Sequence, residues 1–404
     1  MNGQVISRTA MVSLRFLNYF SSTMFTVALP VIIISFDKFH QFPEYILFFF
    51  FLGQLLSQIL FAPLSDYISR RLTLAICLPI FMIGCLICAL APNGDIFILG
   101  YAVQGLGIGT VFGLANALLN DYHAELKEGG SNIDTSRMIA YLGLLVNWSF
   151  AIGFYIAGVL LLLSWRGIFY FLLAYAGLVL AMLLPFLFRL SESKQTTSKH
   201  PLAVARVYVR IASHIKLLSY SLIYALSLAV VYIFYLEANK ILSLFHSPFM
   251  LATYALMTCA GYVLGKFLSA YIKLPPRFLI FLATLINLLG VAAIWAVFYY
   301  IQQDWLIFLC FSVSCFGVGL LSPVCIARPM SFFPGYTNMA TNVTILIIYL
   351  VTVMALAVAI FIKIDSIYQL GRYLFILTAI SVVLSIIYIA LHSHFEKMLL
   401  SKQQ

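Results

Sequence analysis

The chain has 404 residues, of which 63% are hydrophobic and 9% are charged, with a formal net charge of +10. A soluble globular domain carries about 25% charged residues, so this composition excludes a water-soluble fold and predicts a membrane protein. The positive charge alone would also fit a nucleic-acid-binding protein, but the distribution of lysine and arginine makes that interpretation unnecessary.

Apolar stretches of about twenty residues recur along the whole chain, and a helix of that length crosses the ~30 Å hydrocarbon core of a bilayer. The stretches lack the alternation of polar and apolar residues that membrane β-strands require, so they predict an all-α polytopic membrane protein. The predicted spans are 14–36, 44–65, 72–91, 95–120, 137–163, 167–188, 214–236, 249–272, 278–300, 305–327, 338–362 and 371–393. The chain therefore has twelve predicted transmembrane helices.

Lysine and arginine predict the orientation of these spans. With a cytoplasmic N-terminus, most of them lie on the cytoplasmic side. The exceptions on the opposite side are Lys38, Arg166, Lys240, Lys363 and Arg372. The positive-inside rule thus predicts that both the N- and the C-terminus are cytoplasmic.

One long polar interruption, 190–213, divides the chain into a six-helix bundle at 1–189 and a second one at 214–404. The first part of this cytoplasmic linker has the composition of a flexible connection. In its second part, Arg206 and Arg210 are one helical turn apart, which fits either a short interfacial helix or ordinary positive-inside anchoring.

The two halves resemble each other weakly. A span that begins at Asp95 holds the pair Gly105 and Gly107, and a span that begins at Asp304 holds a second G-x-G pair. Pseudo-symmetry between two halves is typical of transporters whose binding site lies at the repeat interface.

The turn between the second and third spans contains the segment A-P-L-S-D-Y-I-S-R-R. It resembles the loop signature G-x-L-x-D-x-x-G-R-K/R of the major facilitator superfamily. The matching residues are Leu64, Asp66, Arg70 and Arg71, while Ala62 and Ser69 replace the two glycines. The resemblance implies two pseudo-symmetric six-helix bundles and a gating role for Asp66, Arg70 and Arg71.

In that role, Asp66 would face the positive N-terminal end of the eleventh span and latch the two halves together. A carboxylate at such a site contributes about 0.3 to 1 kcal/mol when exposed and up to about 2 kcal/mol when partly buried. The alternative is that Asp66 only caps a helix and that Arg70 and Arg71 only set the topology.

Other segments resemble the drug-exporting branches of the superfamily. S-W-R-G-I-F, which begins at Ser164, is similar to their W-R-x-I-F turn, and the stretch from Gly153 to Gly158 is similar to the exporter signature G-P-x-x-G-G without its proline. A-L-P in the first span and A-R-P-M-S-F-F-P-G before the eleventh resemble the Bcr/CflA-type drug-resistance subfamily, which consists of drug:proton antiporters. The small residues Gly105, Gly107, Gly153 and Gly158 are also expected to let helices pack closely.

Two residues that the resemblance would require for proton coupling are absent. Thr23 stands where the subfamily has an acid in the first span, and Tyr101 stands where many antiporters have an arginine before the Gln104–Gly105 pair. The remaining coupling candidates are Glu237, Asp121, Arg137 and Lys266.

Glu237 is the main coupling candidate, because it follows a tyrosine-rich stretch near the outer end of the seventh span and an acid buried there could exchange protons. The alternative is a loop acid paired with Lys240. Asp121 and Arg137 could instead pair with each other in a cytoplasmic loop, and Lys266 could extend its amine to the inner surface.

Polar and aromatic side chains within the spans are candidates for the substrate cavity, since hydrocarbon cannot satisfy their hydrogen bonds. They are Asn18, Tyr19, Thr23, Gln104, Asn116, Asn147, Trp148, Tyr232, Tyr235, Asn287 and Asn342. Interhelical hydrogen bonding is the alternative for each of the amides. Together these residues predict a cavity for amphipathic or weakly charged organic molecules.

The sequence thus predicts a secondary transporter, not an enzyme, that exports a drug-like or metabolite molecule by alternating access and with proton coupling. We expect a monomer in the bacterial inner membrane, with small organic molecules, protons and lipids as partners, and no cofactor, metal or nucleic acid. A siderophore or other metabolite transporter without proton antiport, in either direction, is the first alternative. A membrane-embedded lipid-linked transferase and a non-transporting sensor are the other two.

Overall fold

The computed structural model describes residues 2–36, 44–118, 149, 152–187, 201–241, 248–300, 303–364 and 366–401. In these ranges the regular secondary structure is helical, which confirms the all-α prediction. The helices up to the linker are α1 (Asn2–Ser35), α2 (Glu44–Tyr67), α3 (Arg70–Leu90), α4 (Gly94–Ile108), α5 (111–118), α6 (Ile152–Leu161) and α7 (Arg166–Leu187). The later helices are α8 (Pro201–Ala212), α9 (Ile215–Ile241), α10 (Pro248–Ser269), α11 (Pro276–Tyr300), α12 (Asp304–Ser331), α13 (Thr337–Ile362) and α14 (Ile367–Ser401).

Nine helices in the described part of the chain are long and apolar enough to cross a membrane. They are α2, α3, α4 together with α5, α7, α9, α11, α12, α13 and α14. Helices α1 and α10 overlap two further predicted spans, and α6 lies within a third. The count of twelve spans and the cytoplasmic location of the termini stay predictions.

In the N-terminal half, α4 packs between α2 and α3. Glycines make this possible: a Cβ added at Gly105 would lie closer than 3.0 Å to the Phe50 carbonyl oxygen of α2. One added at Gly107 would clash in the same way with the Phe81 backbone of α3. Without side chains at these two positions, the backbones of three helices come into direct contact.

The C-terminal half repeats this arrangement with α12 between α10 and α11. A Cβ at Gly317 would come within 3.0 Å of the Ala283 carbonyl oxygen of α11, and one at Gly319 would clash with the Tyr262 carbonyl of α10. The weak G-x-G repeat in the sequence thus corresponds to the same packing device in both halves.

The halves meet where α2 packs against α13 and where α1 packs against α9 and α10. Phe51 of α2 contacts two tyrosines of the other half, with ring centroids 4.5 Å from Tyr232 and 6.2 Å from Tyr349. The helix α8 lies within the predicted linker and contacts α2, α9 and α13. It therefore touches both halves at the end of the bundle that holds the α2–α3 turn, which we call the linker end.

Candidate functional site

A central cavity lies between the two halves. The first half lines it with α1, α5 and α6, and the second half with α9, α10, α12 and α13. The cavity leaves about 200 Å³ for the centres of water-sized molecules. A single buried water needs roughly 10 to 15 Å³ of such space, so the cavity has room for a small organic molecule.

Tyrosine dominates the described lining of this central cavity. Its tyrosines are Tyr19, Tyr224, Tyr232, Tyr235, Tyr262 and Tyr349. The ring of Tyr19 packs edge-on against that of Phe112 at 6.2 Å, and Phe154 adds another aromatic surface. The lining therefore combines flat apolar faces with hydroxyl groups that can donate or accept hydrogen bonds.

Lys266 reaches this cavity from α10 and carries a positive charge at its lining. Its Nζ lies 6.0 Å from the centroid of the Tyr262 ring, which is within the range of a cation–π contact. Thr258, Tyr262 and Lys266 follow one another at intervals of four residues, so they form one polar stripe along α10.

The structure places five of the predicted cavity residues in the lining. They are Asn18, Tyr19, Thr23, Tyr232 and Tyr235. Asn147 and Trp148 lie outside the described residues, as do the coupling candidates Asp121 and Arg137.

Four predicted amides form hydrogen bonds between elements instead. Gln104 Nε2 donates to Cys85 Sγ at 3.4 Å, and Asn287 Oδ1 accepts from Ser314 Oγ at 2.6 Å. Asn116 accepts a hydrogen bond from the Arg15 guanidinium. Asn342 belongs to the group described below.

Several lining residues were not predicted, and Tyr224 and Tyr262 are the clearest cases. Tyr224, Leu228 and Tyr235 recur at i, i+4 and i+11 on one face of α9. Two tyrosines on one helical face could have identified that face as the cavity side, but the sequence does not show which face of a mostly apolar helix meets the other half.

Glu237 is fully buried, but it is not among the described residues that line the cavity. On the same side of α9, one turn earlier, Phe234 stacks on Phe311 of α12 with centroids 3.6 Å apart. Glu237 thus lies on the face of α9 that packs within the C-terminal half. Lys240, its alternative partner, has no described side chain.

At the linker end, Asp66 is connected to the opposite half through α8. The Tyr208 hydroxyl donates a hydrogen bond to Asp66 Oδ2 at 2.7 Å, and Asn342 Nδ2 of α13 donates to the Tyr208 hydroxyl oxygen at 3.1 Å. Asp66 and Asn342 are both buried. Burial and the neighbouring Asp66 carboxylate raise the pKa of the Tyr208 hydroxyl well above its usual value, so it stays a donor at physiological pH.

The helix-capping role considered for Asp66 belongs to Ser69. Ser69 has extended backbone angles, and its side chain accepts a hydrogen bond from the Leu72 amide at 3.1 Å, which caps α3. This serine, which replaces a glycine of the signature, ends the turn and starts the helix. Arg70 and Arg71 follow directly and are both half-buried.

The turn before α7 is held by its tryptophan and arginine. Trp165 packs edge-on against Phe36 and Phe97 at centroid distances of 5.5 Å and 5.7 Å. Arg166 Nη2 donates to the Ala91 carbonyl at 3.1 Å, and its guanidinium lies 4.9 Å from the Trp165 ring centroid. This turn therefore joins α7 to the end of α3.

Thr23 and Tyr101, which replace the two expected coupling groups, both serve packing. The Thr23 hydroxyl donates to the Tyr19 carbonyl at 2.9 Å and lies against Gly153 of α6, where a Cβ would clash with it. Tyr101 is fully buried and stacks between Phe25 and Phe50 at 4.1 Å and 4.4 Å.

Comparison with known proteins identifies the family. Residues 11–356 match the model of the Major Facilitator Superfamily. The chain is 30% identical over 182 residues to the MFS-type efflux pump MMF1 of Pseudozyma antarctica (strain T-34). This alignment covers 44% of this chain and 32% of that protein. It is 37% identical over 118 residues to the uncharacterized MFS-type transporter YwfA of Bacillus subtilis (strain 168), covering 28% and 26% of the two chains. These alignments span a third or less of the relatives' lengths.

Solved structures share the fold over nearly the whole chain. A D-xylose-proton symporter superposes with a TM-score of 0.71 at 13% identity, covering 95% of both chains. The nucleoside transporter NupG superposes with a TM-score of 0.68 at 14% identity, covering 94% of this chain and 99% of that one. The chain belongs to the Major Facilitator Superfamily and is an integral membrane protein that crosses the bilayer several times.

Proposed function

We propose that the protein is a secondary transporter that binds a small organic molecule in the central cavity and carries it across the membrane by alternating access. The observation that carries this proposal is the position of the cavity between the halves, with lining residues from both. In transporters built from two repeats, rocking of one half against the other exposes such a site to each side in turn.

Export is the proposed direction. MMF1 is named as an efflux pump, and the W-R-x-I-F-like turn and the Gly153–Gly158 stretch resemble drug exporters. We assign the chain to the Bcr/CflA-type drug-resistance subfamily, as a monomer in a bacterial inner membrane with its N- and C-termini in the cytoplasm. Drug-like molecules, siderophores and other secreted metabolites are the substrate classes that this assignment covers.

We further propose that Asp66, Tyr208 and Asn342 form the latch that closes the linker end. Asp66 comes from the first half, Asn342 from the second, and Tyr208 from the linker helix between them. A hydrogen bond to a charged group contributes about 1.5 to 3 kcal/mol, which is enough to bias an equilibrium between two conformations. The contact of Asp66 with α13 would then run through a linker side chain.

Proton coupling is assigned to Glu237. A carboxyl group fully buried among packed helices is costly when ionised, so its protonation state can be tied to the packing of α9. Because Glu237 is not a described cavity residue, its coupling to substrate would act through movement of α9.

Transport by purified protein in proteoliposomes tests the main proposal. Vesicles loaded with an unlabelled compound that binds the protein should take up the labelled compound by counterflow, since exchange through a common site needs no gradient. Protein-free liposomes give the background. If compounds bind with the expected one-to-one ratio but none exchanges above that background, the protein is a binding sensor and not a transporter.

A further inference from the structure

The charge of the central cavity points to a specific class of substrate. Among the described residues of its lining, Lys266 is the only charged side chain, and no residue is acidic. The described part of the lining thus contributes positive charge and no negative charge. In surroundings of low dielectric, a cation attracts an anionic ligand and repels a cationic one far more strongly than it would in water.

Hydroxyl groups line the same cavity, beginning at the tyrosine whose ring lies next to Lys266. The Tyr262 hydroxyl donates to Ser322 Oγ at 3.1 Å and lies 3.4 Å from the Tyr224 hydroxyl oxygen, so three hydroxyl groups form a chain in the lining. An ammonium group has three donors and no acceptor, while each hydroxyl can turn its hydrogen toward a ligand. Such a set is suited to an oxyanion.

The rest of the cavity is suited to an aromatic body. Tyr19, Phe112 and Tyr232 present ring surfaces on the side of the cavity formed by α1, α5 and α9. The lining has a single flexible lysine and neither the bidentate guanidinium of an arginine nor a second cation among its described residues. It therefore suits a ligand with one negative charge better than a phosphate or a dicarboxylate, which carries more charge.

We propose that the substrates are organic monoanions with an aromatic body, and that Lys266 binds their carboxylate or phenolate oxygen. The proposal rests on the central cavity being the substrate site, and it narrows the class of small organic molecules to acids. By the same charge, cationic compounds are the weakest ligands of this site.

Three probes of matched shape test this proposal by direct binding. They are 2-naphthoate, its neutral amide 2-naphthamide, and the cation 2-naphthylmethylammonium, titrated by calorimetry into the full chain in nanodiscs of zwitterionic lipid. We expect 2-naphthoate to bind at least about tenfold tighter than 2-naphthamide, and the cation to bind weakest, because a hydrogen bond to a charged group favours the anion by a factor of this order.

Two variants of Lys266 and one control locate the effect. Lys266→Met should reduce the affinity for 2-naphthoate to that for 2-naphthamide, and Lys266→Arg should retain most of it. Lys273→Met removes the same charge from the exposed turn after α10 and should leave all affinities unchanged. Unchanged binding of 2-naphthamide shows that the Lys266 variants remain folded.

The proposal is overturned if 2-naphthoate binds no tighter than 2-naphthamide, if neither binds, or if Lys266→Met leaves the preference for the anion intact. Failure of transport gives a different pattern. Lys266-dependent binding of 2-naphthoate without counterflow would support the anion site and contradict the proposed transport. Counterflow of neutral or cationic compounds that is unchanged in Lys266→Met would support transport and contradict the anion site.

Discussion

The two halves of the protein share a packing device but not their chemistry. In each half a helix with a G-x-G pair, α4 or α12, lies between two neighbours at distances that only glycine permits. The described cavity lining, in contrast, takes five of its six tyrosines and Lys266 from the second half. The first half contributes Tyr19 to that set, and its Tyr101 is enclosed in an aromatic stack. Backbone packing therefore tolerates little divergence between the repeats, while the groups that would bind a ligand can be concentrated in one of them.

The largest expected effect comes from breaking the shared device. Gly105→Ala and Gly319→Ala should each lower the free energy of unfolding by about 1 to 3 kcal/mol, because the new methyl group pushes two backbones apart. Thermal unfolding in detergent, followed by size-exclusion chromatography, measures the change.

Gly177→Ala in α7 is the matched control, since its Cβ would meet only the Met82 side chain at 3.6 Å, an ordinary contact. If one glycine variant destabilises the protein and the other behaves like this control, the packing of the two halves is not equivalent.

The next effect concerns the linker end, where the halves are joined. Tyr208→Phe removes the hydroxyl that connects Asp66 to Asn342, and it should shift the population toward a conformation open at that end by a factor of about 10. Spin labels introduced at the exposed positions Tyr67 and Tyr336 report the distance between the halves.

Tyr155→Phe removes a hydroxyl from an exposed tyrosine of α6 and should leave the distance distribution unchanged. An unchanged distribution in Tyr208→Phe as well would mean that the linker helix does not hold the halves together.

Glu237→Gln tests whether the second half also holds the coupling group. With a transported compound identified, uptake driven by an imposed pH gradient should fall to the level without a gradient, while counterflow continues, because glutamine cannot exchange a proton. Counterflow is the internal control for folding and binding. Uptake that stays fully gradient-driven would remove Glu237 from the coupling mechanism.

The smallest expected effect is that of pH on the linker end. The pKa of Tyr208 is raised, so the hydroxyl remains protonated below its usual pKa of about 10, and its hydrogen bond to Asp66 is lost only as the pH rises through the higher folded value. The spin-label distances should therefore be the same at pH 7 and pH 9. A shift toward the open conformation within that interval that is absent in Tyr208→Phe would contradict the raised pKa of Tyr208.

The fold class and the family followed from local patterns. The length of the apolar stretches predicts helices regardless of how they pack, and the A-P-L-S-D-Y-I-S-R-R turn carries its resemblance in ten consecutive residues. The predicted seventh span coincides closely with α9, and the predicted ninth with α11, for the same reason.

The rotation of each helix about its own axis was decided only by the tertiary structure. In a helix that is apolar all round, composition does not distinguish the side facing lipid from the side facing a neighbour or a cavity. Tyr235 and Glu237 stand two residues apart on α9, yet one lines the cavity and the other is packed within its own half. The sequence alone thus determined a helical membrane protein of this family. Only the tertiary structure shows that Lys266 lines the cavity and that Asp66 is connected to α13 through Tyr208. Both features depend on contacts between helices that are distant in sequence, and a local sequence pattern does not specify such contacts.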